Sequence, residues 1–347
     1  MNNVQVNRDI AVVGASAGGV EALRVLVRAL PRDYAATLFV VLHVAPESPS
    51  ILDRLLDNVS SLPVRRAEDG RTFRRGEIWV APPDHHLVLR EDAMQVSRGP
   101  RENRHRPSID VLFRSAAIAY GPRVTGVVLT GMLDDGAAGL WAVKTRGGIA
   151  VVQDPDDAAY PDMPMNALEV VETDHCLPLA DIPACIAALA RERVLPRART
   201  EGDKLELEVR MAVDNTATME QLDALGERST LTCPECGGAL WEMHEPPPRF
   251  RCHVGHAYTM RTLVASQSER LESALWAALR ELEESEALAR RIAEKAVQRH
   301  DNNTARIFTD RAGERASHAD VLRQLLKEIP AAAAVPAGSP VEADSNA

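Results

Sequence analysis

Side chains of three types suited to acyl transfer each stand in the segment just after an apolar run. Ser16 lies in GASAGG (14–19) after Ile10-Ala11-Val12-Val13, and His43 closes Leu38-Phe39-Val40-Val41-Leu42. Asp134 and Asp135 lie in TGMLDDGAAG (130–139), after the apolar run 124–129. A serine hydroxyl becomes a nucleophile when a base takes its proton. Imidazole is a suitable base, and a carboxylate orients the ring and stabilises its cation. Each residue also has a plainer reading. GASAGG suits a tight strand-to-helix turn, a single histidine suits a hydrogen-bonded loop, and aspartates at a helix start suit capping. Serine, histidine and aspartate at three strand ends of one sheet is a rarer coincidence than any of these alone. GASAGG also suits a phosphate cradle at a helix N-terminus. Its glycines at 14, 18 and 19 miss the GxGxxG spacing and no P-loop lysine follows, so a dinucleotide-binding enzyme is the weakest reading.

A second cluster has ligand chemistry. Cys233-Pro234-Glu235-Cys236 and Cys252-His253-Val254-Gly255-His256 make a CxxC, a gap and a C-x3-H. Three thiolates and one imidazole suit structural zinc with a closed tetrahedral shell. The expected ligands are Cys233, Cys236, Cys252 and His256. His253 is the alternate nitrogen ligand and His244 a weaker one; the plainer reading is a set of unmetallated or redox thiols. Trp241 and Phe250 are expected to pack on this knuckle. Cys176 and Cys185 stand alone and are expected to be buried thiols.

The elements that must position these residues follow from periodicity. Short β-branched runs alternate with amphipathic stretches through 10–153, and continuous apolar strands between helices indicate an α/β, doubly wound, mostly parallel sheet. Sites in such sheets lie at the carboxyl ends of the strands, where Ser16, His43 and Asp135 fall. Helix residues Val20, Leu23, Val27 and Leu30 are expected to share one face. Runs 86–89 and 94–96 suit a hairpin, and Ser108 suits the N-cap of a helix carrying Ile109, Leu112 and Phe113. The boundaries read as a catalytic domain at 1–195, a connecting segment at 196–230, a small zinc-ribbon-like module at 231–259, a helical hairpin or coiled coil at 260–329 and a disordered tail at 330–347. Leu271, Leu275, Ala278, Leu282, Ala289, Ile292 and Ala296 follow four- and three-residue steps up to Asp301-Asn302-Asn303. A second stretch carries Phe308, Ala312, Ala316, Leu322, Leu325 and Leu326.

Composition excludes other classes. The 347 residues carry a formal net charge of -10, a poor balance for nucleic-acid binding. No apolar run approaches the roughly 20 residues of a membrane-spanning helix, and MNNVQVNRDI lacks a signal-peptide core. A cytoplasmic location without membrane insertion is therefore expected, and five sparse cysteines fit a reducing compartment. Against this acidity, Arg98, Arg101, Arg104, His105 and Arg106 form a basic loop with only Glu102 opposing.

The segments GASAGG, VVLHVAPESPS, IWVAPPDHHL, RPSIDVLFRSAA and VVLTGMLDDGAAGL, in this order over about residues 8 to 190, resemble the catalytic domain of the chemotaxis protein-glutamate methylesterases (CheB type). The resemblance implies Ser16 as nucleophile, His43 as general base and then acid, and Asp135 as third triad member. It implies an oxyanion held by the N–H groups of Ala17 and Met132. The family reaction is hydrolysis of glutamate γ-methyl esters on the cytoplasmic helices of methylated receptors, with release of methanol. Many members also deamidate glutamine, and no metal or organic cofactor enters the chemistry. Ala17 stands where the family often has threonine, Leu42-His43-Val44 replaces QHM, and Leu133 departs from GMG. The catalytic strand starts near Asp9, so a stand-alone form without a receiver domain in cis is expected. The Cys/His segment resembles C-terminal extensions of some stand-alone members. Arg98, Arg101, Arg104 and Arg106 would dock a glutamate-rich receptor helix, or else form a solvated loop. The helical hairpin would bind a signalling partner or dimerise, or else cap the chain itself. The alternative function is a signalling adaptor that keeps the esterase fold and binds through its zinc and helical modules.

Overall fold

The structure, a computed structural model, describes residues 5–48, 51–91, 93–195, 204–214, 218–244 and 246–328. The chain divides into two compact units, Met1–Leu263 and Val264–Ala347. In the first unit the elements begin with β1 (Val6–Asn7), β2 (Ile10–Ala15), α1 (Gly19–Ala29), β3 (Thr37–Leu42), α2 (Leu52–Asp57), β4 (Val64–Arg66) and β5 (Ile78–Val80). A hairpin of β6 (His86–Arg90) and β7 (Ala93–Ser97) leads to α3 (Ile109–Tyr120). Then come β8 (Val124–Val128), α4 (Ala137–Thr145), β9 (Ile149–Gln153), α5 (Asp162–Val170), β10 (His175–Leu177), α6 (Ile182–Leu189) and β11 (Arg193–Val194).

Seven strands form one sheet in the order β10-β9-β8-β2-β3-β5-β4, and every neighbouring pair is parallel. Every residue of β2 and β3 is buried, as a strand covered on both faces requires. Alternation along the strands splits the core in two. Val12, Phe39 and Val128 pack with α3, α4 and α5 on one face. Val13, Val40 and Leu129 pack with α1, α2 and α6 on the other. The sheet is therefore doubly wound. From β2 the chain builds outward through β3 on one side and β8 on the other. Their carboxyl ends flank the switch point where such sheets open a crevice.

Local expectations meet three corrections here. Leu23, Val27 and Leu30 are buried, but Val20 is 37% exposed, because the first turn of α1 lifts it off the sheet. Cys176 is exposed and Cys185 half-buried; β10 is an edge strand, so its side chains lack a covering neighbour. The expected connecting segment 196–230 contains α7 (Lys204–Asp214), α8 (Met219–Leu225) and the start of β12 (Gly226–Thr232). Its charges hide an apolar stripe: Val209, Ala212 and Val213 pack on Val88 and Val111. Thr218 and Gln221 close a capping box at α8.

β12, β13 (Ala239–Met243), β14 (Arg249–Cys252) and β15 (Ala257–Thr259) form a four-stranded antiparallel sheet. Phe250 packs with Cys233 and Cys252 as expected. Trp241 instead joins Leu222 and Leu225, and its Nε1 donates to Asp223 at 2.7 Å. Alternation along β13 turns it to the side away from the thiols.

α9 (Met260–Gln298) begins at the end of the first unit. The second unit consists of the rest of α9 and α10 (Asn302–Glu328). Asp301 caps α10, accepting from Thr304 N at 3.0 Å. The buried positions are mainly alanines: Ala289, Ala293 and Ala296 on α9, and Ala305, Ala312 and Ala319 on α10. The seven-residue step on α10 is a coiled-coil spacing, but the large residues Leu271 and Leu325 expected on this seam are exposed. The expected tail 330–347 lies outside the described residues. Among the described residues, no helix is long and apolar enough to cross a membrane.

Candidate active site and metal centre

Ser16 follows β2, and its N–H donates to Thr130 O at 3.0 Å, which ties it to the segment after β8. The turn needs glycine at Gly18, whose φ is 74°. It needs glycine again at Gly131, where a Cβ would lie 2.0 Å from Met163 Sδ and 2.8 Å from Ser16 Cβ. His43 continues the β2–β3 register, with its N–H donating to Ala15 O at 3.2 Å. That register delivers the ring to the serine: Ser16 Oγ lies 3.1 Å from His43 Nδ1. On the far side, His43 Nε2 lies 2.8 Å from Asp135 Oδ2. The ring thus presents Nδ1 to the hydroxyl as acceptor, while Nε2–H donates to the carboxylate. Their side chains are nearly buried, at 4% and 2% exposed.

Asp135 is held by donors from the start of α3. Oδ2 accepts from Ile109 N at 2.7 Å. Oδ1 accepts from Ser108 Oγ at 2.9 Å and Asn103 Nδ2 at 2.8 Å. A helix N-terminus favours the anion. Burial pushes the Asp135 carboxyl up. The hydrogen bond and charge of His43, with the Asn103 donor, outweigh it and hold the group well below the usual carboxylate range. Neighbouring Asp110 moves the other way, raised by burial and then by the charge of Asp135. Such a pair separates into an ionised and a protonated member.

The sequence left Asp134 and Asp135 both open as partners of His43. Asp135 reaches His43; Asp134 instead accepts from Thr259 Oγ1 at 2.8 Å, and burial pushes it up to about 6. Ser108 sits at the N-cap as expected, but its side chain makes no cap hydrogen bond and serves Asp135 instead.

Several roles here escaped the sequence reading. His105 stacks on His43 with ring centroids 3.6 Å apart and planes 7° apart. Burial first, and then the charge of His43, push His105 down to about 3, so it supports the ring as a neutral platform. Asn103, Asp110 and the buried His86, which accepts from Ser108 N–H at 3.2 Å, were likewise missed. The one signal for Asn103, His105 and Asp110 was the density of polar residues between Arg101 and Asp110, which also describes a solvated loop.

The N–H groups of Ala17 and Met132 make no hydrogen bond among the described residues. Of the four expected docking arginines, Arg98 and Arg106 are turned to Asp84, at 2.8 and 2.6 Å. Arg101, Arg104 and Arg106 line the open cleft together with Ser16, Ala17, His43 and His105.

The ligand atoms of Cys233, Cys236, Cys252 and His256 all lie within 4.8 Å of one another. Cys236 Sγ is 3.7 Å from Cys252 Sγ, and His256 Nδ1 is 3.5 Å from Cys252 Sγ. Zn–S bonds of about 2.3 Å and Zn–N bonds of about 2.0 Å in a tetrahedron need edges of this size, so the four residues fit the ion. His256 Nε2 faces Glu235 Oε2 at 3.3 Å, an outer partner that fixes the ring. His253 and His244 are not in the group.

A family model described as CheB methylesterase matches residues 11–186. A Leptospira interrogans relative, provisionally described as a protein-glutamate methylesterase/protein-glutamine glutaminase, is 38% identical over 178 residues. That match covers 51% of this chain and 92% of the relative. An Anaeromyxobacter dehalogenans protein-glutamate methylesterase/protein-glutamine glutaminase 2 is 40% identical over 183 residues, covering 53% of this chain and 54% of that one. The crystal structure of the Thermotoga maritima CheB methylesterase catalytic domain aligns with a TM-score of 0.51 and 32% identity, covering 53% of this chain and all of that one.

Proposed function

Since the chain belongs to the CheB methylesterase family, we propose that it is a serine hydrolase cleaving glutamate γ-methyl esters on chemoreceptor-type proteins. The observation that carries this reading is the unbroken line Ser16–His43–Asp135 at three strand ends. Ser16 Oγ attacks the ester carbonyl carbon as His43 Nδ1 takes its proton. The carbonyl oxygen becomes an oxyanion, received by the N–H groups of Ala17 and Met132. The imidazolium, stabilised by Asp135, returns its proton to the leaving methoxide, and methanol departs. Water, deprotonated by His43, then releases the glutamate carboxylate and restores Ser16. A glutamine side chain passes through the same steps with ammonia as leaving group. The test is incubation with a glutamyl-methyl-ester receptor helix followed by peptide mass and methanol assay. Loss of the methyl group supports the reading; intact ester with folded protein favours the adaptor role.

Arg101 and Arg104, which line the cleft beside Ser16 and His43, are the residues we assign to substrate docking. Receptor methylation helices are rich in glutamate, which suits two guanidinium groups at the cleft. Arg101→Gln with Arg104→Gln should raise KM for the helix about tenfold, leave kcat close to wild type, and flatten the salt dependence. Steady-state kinetics at two salt concentrations check this; unchanged KM would sink the docking role.

Cys233, Cys236, Cys252 and His256 would hold a structural zinc, which closes the knuckle and takes no part in the ester chemistry. Metal analysis of the full chain should give about one zinc per chain, lost in Cys236→Ser. Full zinc retention by that variant would contradict the ligand set.

A further inference from the structure

The Cys/His module reaches the surroundings of the catalytic acid directly. Asn103 N donates to Ala257 O at 2.8 Å, and Ala257 N returns a bond to Arg101 O at 3.3 Å. Thr259 N donates to Asn103 Oδ1 at 3.1 Å, and Thr262 Oγ1 donates to the same oxygen at 3.3 Å. The other end of that amide, Nδ2, donates to Asp135 Oδ1 and to Asp110 Oδ2, both at 2.8 Å. Two acceptors on one side and donors on the other leave the amide a single orientation. Thr259 Oγ1 also holds Asp134, the residue before Asp135, at 2.8 Å.

Asn103 sits in the left-handed region, with φ at 51°. A non-glycine residue stays there when its surroundings over-determine it, and the module supplies much of that constraint. Beneath it lies a buried ionic lattice. Glu102 pairs with Arg114 at 2.6 Å and with Arg251 of β14 at 2.7 Å. Glu208 of α7 pairs with Arg249 at 2.7 Å and with Arg251 at 3.4 Å. All five side chains are nearly or fully buried. The loop that carries Asn103 and His105 is thus gripped by the strands that carry Cys252 and precede α9.

We infer that the Cys/His module, with the first turn of α9 that continues it, is a positioning part of the esterase site: through Thr259 and Thr262 it fixes Asn103, and Asn103 fixes the Asp135 carboxylate that orients His43. The inference rests on the triad reading of Ser16, His43 and Asp135. Asn103, Thr259 and Thr262 are positioning residues, since each acts through Asp135. Residues that orient a reacting group from behind typically change rates about 10- to 100-fold when removed, because small displacements at a near-attack geometry are costly.

The experiment uses the full metal-loaded chain, a small glutamyl methyl ester and the low-field proton resonance of the His43–Asp135 hydrogen bond. Thr262→Val removes one hydroxyl with little change of volume. It should lower kcat about tenfold with KM nearly unchanged, and shift or broaden the low-field resonance. Thr262→Ser should restore both. Asn103→Leu should do the same more strongly, and wild type stripped of metal should move the resonance in the same direction. Unchanged kcat and resonance in Thr262→Val and in the metal-stripped chain would overturn the inference. The resonance needs no substrate, so it decides the positioning even if the ester proves to be the wrong substrate.

Discussion

Asp135→Asn is expected to lower kcat by about 10^4-fold on a glutamyl methyl ester. A carboxylate at this position holds the tautomer of His43 and stabilises its cation, and the amide does neither. The change should also cost stability. Asp135 accepts from His43, Asn103, Ser108 and Ile109, and an amide NH2 would face donors with a donor. Leaving buried donors unsatisfied costs about 1–3 kcal/mol each, so the melting temperature should fall together with the rate. A variant that keeps more than a tenth of wild-type kcat would remove Asp135 from the triad. Asp134→Asn should cost far less, because Asp134 contacts Thr259 and not the histidine.

Glu102→Gln is expected to be the most destabilising single change outside the site. It leaves buried Arg114 and Arg251 sharing Glu208 as their remaining ionised partner. Breaking a buried ion pair from one side typically costs about 3–5 kcal/mol, a melting shift on the order of 10 °C for a unit of this size. The effect has a defined pH window. Burial raises the Glu102 carboxyl, but Arg114 and Arg251 outweigh it and hold the group down to about 2, against an ordinary 4.5. A carboxylate held down in the folded state contributes its stability above the ordinary value and loses it as pH falls through the folded one. The gap between wild type and Glu102→Gln should therefore be full at neutral pH and close between about pH 4.5 and 2. Thermal melts across that range check it. Equal melting temperatures at neutral pH would show the lattice to be dispensable.

How much of this was legible in the sequence depends on the range of the signal. Continuous apolar runs marked β2, β3, β8 and β9, because strands buried on both faces leave no polar positions. Strand-end placement then brought Ser16, His43 and Asp135 forward, and sulfur and imidazole spacing brought forward Cys233, Cys236, Cys252 and His256. What stayed hidden was the chemistry made by distant partners. Asn103 meets Asp135 across 32 positions and Thr259 across 156, and no local pattern encodes either meeting. The arginine run 98–106 was read as one docking surface, yet Asp84 divides it. Glu102 was counted only with the basic loop, and Glu208, Arg249 and Arg251 drew no notice, because burial of an ion pair has no signature in composition. α7 was passed over for the same reason: its charges masked a stripe of Val209, Ala212 and Val213.

The central claim is that Ser16 is the nucleophile of a protein-glutamate methylesterase. Its most direct test is methanol release from a methylated receptor cytoplasmic fragment, with wild type and Ser16→Ala run side by side. The account predicts release by wild type and a loss of about 10^4-fold or more in Ser16→Ala, with the melting temperature unchanged. Equal release by both, or none by folded, zinc-loaded wild type, would contradict it.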